Sequence, residues 1–134
     1  MDSCCQRPVV FKDALRPVSL KVTVRRRNAD VDLSVAASAY FLVRKPDQTD
    51  HTWTATIVET DETFVVLRYS FVSGDVPLLG TYLLFPQIGL PSGTYPAKPC
   101  EFDVEDYGAN TVLVAYNNGA LVFPVQLETQ LVGG

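Results

Sequence analysis

Residues 18–25 read Val18-Ser19-Leu20-Lys21-Val22-Thr23-Val24-Arg25, an unbroken alternation of apolar and polar side chains. Successive side chains of an extended chain point to opposite faces, so this stretch predicts a strand buried on one face and wet on the other. The same period returns downstream. Trp53, Ala55 and Ile57 alternate with Thr54 and Thr56, and Val65, Leu67, Tyr69 and Phe71 alternate with Val66, Arg68 and Ser70. Val112, Val114 and Tyr116 share one face, as do Leu121, Phe123 and Val125. No stretch longer than two turns carries helical spacing. The expected class is all-β.

The residues between these runs agree. Lys45-Pro46-Asp47-Gln48 predicts a turn after a strand over residues 39–44, and Ser73-Gly74-Asp75 and Pro91-Ser92-Gly93 break the pattern again. Asn117-Asn118-Gly119 lies between two β-rich runs, and Asn-Gly supplies the positive φ angles of a tight hairpin. Eight or so short strands at close spacing point to a sandwich or barrel.

A chain of 134 residues fits one domain, able to bury roughly two-thirds of the surface its unfolded form exposes. A hydrophobic content of 47% excludes a disordered tail as the main reading. The net charge of −4 gives no push toward nucleic acid or an anionic membrane. No segment approaches the ~20 apolar residues of a spanning helix. Met1 to Pro8 lacks the apolar region of a signal peptide, so the expected compartment is the cytoplasm of the producing cell. Cys4 and Cys5 are adjacent and Cys100 stands alone. A bridge between neighbours is strained and an odd count argues against a disulfide framework, so three free thiols are expected.

Groups able to do chemistry are sparse. His51, the only histidine, follows Asp50 in a polar turn, and nothing supplies the other half of a catalytic dyad. Cys4, Cys5 and Cys100 do not have zinc spacing. Asp30 and Asp32 start like a calcium loop, but no Gly and Glu complete it. Glu59, Asp61 and Glu62 read as a solvated acidic turn. Gly89 and Ser92-Gly93 lack the Lys-Ser or Lys-Thr pair and helix of a phosphate loop. Arg25-Arg26-Arg27 is the one basic run, expected to meet a carboxylate-rich neighbour or solvent rather than nucleic acid. Trp53 is expected in the core. Tyr82 is expected at a corner where its hydroxyl bonds back to nearby backbone, as in immunoglobulin-like sandwiches. No catalytic, cofactor-binding or metal-ligating residue is assigned, and no cofactor is expected.

One set of motifs resembles a family. Asp32-Leu33-Ser34 precedes a strand. Phe41-Leu42-Val43-Arg44-Lys45-Pro46-Asp47-Gln48 resembles a strand closing on an Arg-Arg-Pro-Asp-Gly turn. Trp53-Thr54-Ala55-Thr56, Leu67-Arg68-Tyr69-Ser70-Phe71, Gly74-Asp75-Val76-Pro77-Leu78-Leu79-Gly80-Thr81-Tyr82 and Glu101-Phe102-Asp103-Val104 follow. Over roughly residues 16–105 this is similar to the immunoglobulin-like domain at the N-terminus of the baseplate upper protein of tailed bacteriophages and in small phage tail and virion proteins. The chain differs in carrying Gln48 where glycine is usual, and in a long segment from Phe85 to Cys100.

The resemblance implies an immunoglobulin-like antiparallel β-sandwich over residues 18–107. It leaves an N-terminal arm at 1–17 and an added C-terminal β-hairpin at 108–134 as reaching elements. It implies a non-enzymatic structural protein of a phage virion, assembled in the host bacterial cytoplasm. Its partners would be other virion proteins in a symmetric, multi-copy assembly of the tail, baseplate or fibre-attachment region. No membrane, nucleic acid or small-molecule substrate is expected. The alternatives are a capsid decoration (cement) protein on the phage head, and a receptor- or carbohydrate-binding module using tyrosines such as Tyr95 or Tyr107.

Overall fold

A computed structural model describes residues 8–12, 19–106 and 125–132. The fold is all-β. Nine strands run in the order β1 (Val9–Phe11), β2 (Ser19–Arg25), β3 (Ser38–Arg44), β4 (Asp50–Thr60), β5 (Phe64–Ser70), β6 (Gly80–Leu90), β7 (Gly93–Pro96), β8 (Cys100–Glu105) and β9 (Val125–Gln130). A 3-10 turn at Leu33–Val35 is the one helical element among the described residues. None of these residues forms a helix long and apolar enough to cross a membrane.

The strands hydrogen-bond in the order β1-β8-β6-β3-β4-β5-β2-β9, with β7 also on β6. The continuous sheet folds over at β4. Residues Asp50 to Ala55 pair with β3, whereas Thr56 to Thr60 pair with β5 across a bulge between Ile57 and Glu59. An extra residue in one strand bends it and sharpens its twist, which lets one strand serve two layers. The far edges then approach each other. Ala97 bridges Leu131, the Lys98 N–H donates to the Gln130 carbonyl (2.8 Å), and the Val132 N–H donates to the Pro96 carbonyl (3.0 Å). The result lies between a sandwich and a closed barrel. One layer orders β2-β5-β4 and the other β3-β6-β8, which is the B-E-D and C-F-G order of immunoglobulin-like sandwiches.

The alternating residues face inward as the sequence requires. Leu20, Val22 and Val24 of β2 are fully buried, as are Val65 and Leu67 of β5, and they share one core with Phe41, Tyr82, Leu84, Ile88 and Phe102. Trp53 stacks on Tyr69 at 4.8 Å between ring centroids and meets Phe71 edge-on at 5.6 Å. Such pairs are each worth about 0.5–1.5 kcal/mol beyond the area they bury. The long Phe85 to Cys100 segment is the second half of β6, a turn at Pro91-Ser92, and β7. Pro86 sits where β6 changes partner from β8 to β7, a place in a strand that tolerates a missing N–H.

The sheet is not antiparallel throughout. β1 runs parallel to β8, and β9 parallel to β2. Parallel neighbours need long connections, and both of these pairs join segments far apart in sequence. Val9–Phe11, within the segment expected to be an arm, is a strand whose Val10 is 2% exposed in the core. Three residues are too few to show a period, so the sequence carried no sign of it. Of the expected hairpin, the Asn118-Gly119 turn with Val112, Val114, Tyr116, Leu121 and Phe123 lies outside the described residues. The described part, β9, adds Val125 and Leu127 to the common core, and Leu131 just beyond it joins them.

Candidate functional site

Of the residues weighed for catalysis and metal binding, the fold brings the Asp32 and Asp61 turns side by side, joined by the Leu33 N–H on the Glu62 carbonyl at 3.1 Å. Asp50 is held by Arg44, whose Nε and Nη2 donate to its carboxylate at 2.9 and 3.4 Å, and this keeps the Asp50 carboxyl below its ordinary value. His51 instead sits 3.2 Å from the Thr49 hydroxyl. Asp32 accepts from both the Ser34 N–H (2.9 Å) and its hydroxyl (2.6 Å), and Asp61 does the same for Thr63 at 3.1 and 2.9 Å. These are turns in which a carboxylate substitutes for a backbone acceptor. Among the described residues no three His, Cys, Asp or Glu side chains gather as a metal site.

The three consecutive arginines part company. Arg25 reaches Glu128 at 3.5 Å and lies over the Phe64 ring, Arg26 donates to the carbonyls of Ala29 and Val31, and Arg27 donates to the Val132 carbonyl at 2.8 Å. They fasten the chain to itself and do not form a patch. Cys100 is buried without a disulfide, and burial, aided by the Glu101 charge, pushes its thiol up to about 12. Cys4 and Cys5 lie outside the described residues.

Tyr82 is where the sequence placed it. Its hydroxyl donates to the Leu78 carbonyl (2.9 Å) and accepts from the Leu78 N–H (3.0 Å), closing a corner at the entry to β6. Beside it Asp75 accepts from the Val72 N–H and the Tyr69 hydroxyl, both at 2.7 Å, and the buried Lys45 ammonium donates to the Gly74 carbonyl at 2.9 Å. Burial, with the Asp75 carboxylate, holds the Tyr69 phenol above its ordinary value. These groups brace the 71–80 connection and are structural.

Among the described residues three surfaces are candidates for binding. Tyr95, with its hydroxyl 2.8 Å from that of Ser92, borders a shallow cleft of about 240 Å³ with Asp30, Asp32, Val35, Leu90 and Pro91. Tyr107 lies outside the described residues. A second cleft, of about 300 Å³, opens where β4 parts from β5. The third surface is the outer face of β3 and β6. There Leu42 stands opposite Phe85, Tyr40 opposite Gln87, and Arg44 opposite Leu83, with Thr52 and Thr54 of β4 completing the rows. Leu42 is 42% exposed.

That face was not singled out from the sequence, although a sign was present. Tyr40 to Val43 and Tyr82 to Pro86 are apolar at every position, without alternation. A strand apolar on both sides is one whose outer side also expects cover. The two clefts carry no such sign, because their walls come from strands that meet only in the fold. No family model matches the sequence, and neither a curated protein nor a solved structure matches the chain.

Proposed function

We propose that this protein is a non-catalytic structural component of a tailed-phage virion, docking onto neighbouring virion proteins in the tail, baseplate or fibre-attachment region. The observation that carries the docking part is the outer face of β3 and β6. Tyr40, Leu42, Leu83 and Phe85 give it an apolar centre, and Thr52, Thr54, Gln87 and the Arg44–Asp50 ion pair give it a polar rim. An apolar centre inside a polar border is the anatomy of a protein interface. The virion setting rests on the resemblance of the Phe41–Gln48 and Gly74–Tyr82 segments to phage virion domains. In a multi-copy particle, weak contacts of this kind add through effective concentration.

The test is incorporation. Particles assembled with the Leu42→Glu, Phe85→Glu double variant are expected to lack the protein, while the isolated variant keeps its wild-type circular dichroism and cooperative melt. Incorporation at the wild-type level would sink the reading. Recovery of the wild-type protein in purified tail-less heads would move its address from the tail to capsid decoration.

A further inference from the structure

On the outer face of the other layer, Lys21 of β2 stands directly opposite Arg68 of β5. Like charges in a directly opposed cross-strand pair are destabilising. No carboxylate among the described residues relieves this one. Among the described residues neither side chain has an ion pair or a side-chain hydrogen bond. The neighbour of Lys21 on β9 is Gln126, and the acid two residues along, Glu128, is taken by Arg25. In a chain of net charge −4, two opposed cations without a counter-ion are not background.

The space beside this pair is shaped. β4 follows β5 as far as the Thr56–Arg68 pair, and the next positions, Thr54 and Ser70, do not pair with each other because β4 swings across to β3. The gap is the cleft of about 300 Å³, lined by Thr54, Thr56 and Val58 on one side and Arg68, Tyr69 and Ser70 on the other. One guanidinium and three hydroxyls thus border one opening, with the Lys21 ammonium next in the row.

We propose that this cleft binds an anionic polyol, a sugar ring carrying a carboxylate or a phosphate. The Arg68 guanidinium offers a two-pronged fork to the anion. Lys21 supplies the second charge, and bound anion relieves the repulsion between them. The hydroxyls of Thr54, Thr56 and Ser70 both donate and accept, which suits the hydroxyls of a sugar. Val58, 50% exposed, gives the C–H face of the ring an apolar wall. This site meets the rim of the β3–β6 docking face at Thr54, but its cations, Lys21 and Arg68, belong to the other layer, and it stands or falls independently of the virion reading.

The test is titration of the full-length, isotope-labelled chain at constant ionic strength with glucuronate, glucose 6-phosphate, glucose and sulfate, read by amide chemical shifts. Glucuronate or glucose 6-phosphate is expected to shift the amides of residues 54–58 and 68–70, with a dissociation constant on the order of millimolar. Whichever of the two binds more tightly identifies the anion as carboxylate or phosphate. Glucose and sulfate are each expected to bind at least about tenfold more weakly, a difference near 1.4 kcal/mol. Arg68→Gln should weaken binding about tenfold, and Lys21→Gln severalfold, with the amide spectrum outside the cleft unchanged. Three results would overturn the proposal: no shift with either acidic sugar, sulfate binding as tightly as the sugars, or unchanged affinity in Arg68→Gln.

Discussion

Carboxylates hold turns in two regions of this molecule, and the two regions differ in burial. At the 71–80 corner, Asp75 is 8% exposed and accepts from the Val72 N–H and the Tyr69 hydroxyl, while Tyr82 closes the same corner from inside the core. At the surface turns, Asp32, Asp47 and Asp61 each accept from the N–H and hydroxyl of the residue two places on. The bond lengths are alike. What differs is the alternative open to a donor when its carboxylate is removed. A part-buried donor finds water less readily, whereas an exposed donor turns to water. Equal geometry therefore does not mean equal worth.

The sharpest way to break the comparison is Asp75→Ala. It removes a buried carboxylate that two part-buried donors, a backbone N–H and a phenol, share, and is expected to cost about 2 kcal/mol in urea denaturation. A loss no larger than that of a surface turn would show that burial is not what separates the two regions. Tyr82→Phe keeps the ring and removes only the hydroxyl that grips Leu78 at both its N–H and its carbonyl. Its expected cost is roughly 1–2 kcal/mol, with no change in the denaturant dependence.

Backbone strain in an exposed turn sharpens the same contrast. Gln48 follows Asp47 with φ at +70°, in the left-handed region that side chains disfavour. Its N–H donates to the Lys45 carbonyl at 2.8 Å, which keeps the turn closed. Gln48→Gly should raise stability by roughly 0.5–1 kcal/mol, since glycine enters this region without penalty but loses more freedom on folding. A lower melting temperature in that variant would mean that the Gln48 side chain holds the turn.

The smallest effect is expected from Asp61→Ala, whose denaturation midpoint should move less than that of either corner variant. The same turns set an acid dependence. Hydrogen bonds from Ser34, Thr49 and Thr63 hold the carboxyls of Asp32, Asp47 and Asp61 below their ordinary values. Their contribution is complete above the ordinary carboxylate range and is lost as pH falls through the lowered folded values. Melting temperature should therefore decline on acidification below about pH 4, and less steeply in Asp61→Ala. An identical acid slope in the two proteins would contradict this account.

Much of the architecture was legible from residue order alone. Alternation named the inward side chains Leu20, Val22, Val24, Val65, Leu67 and Phe71, and the turn at Lys45-Pro46-Asp47-Gln48 was found in place. Tyr82 was legible because a tyrosine corner is local: the hydroxyl reaches back four residues, to Leu78. Asp75 was less so. Its neighbours Ser73 and Gly74 marked a turn, but the phenol it holds belongs to a strand that becomes adjacent only when the corner closes.

In the alternating stretches the sequence by itself determined which residues extend and which face each side chain takes, and between them where the chain turns, because a period of two and turn chemistry act over a few residues. Only the tertiary structure decided who lies beside whom. It made β1 and β9 parallel members of the sheet, let β4 serve both layers, set Leu42 against Phe85, and brought Lys21 opposite Arg68. A strand's period fixes its face but carries no address for its neighbour. Register comes from packing between segments far apart in sequence, and the binding surfaces are products of register.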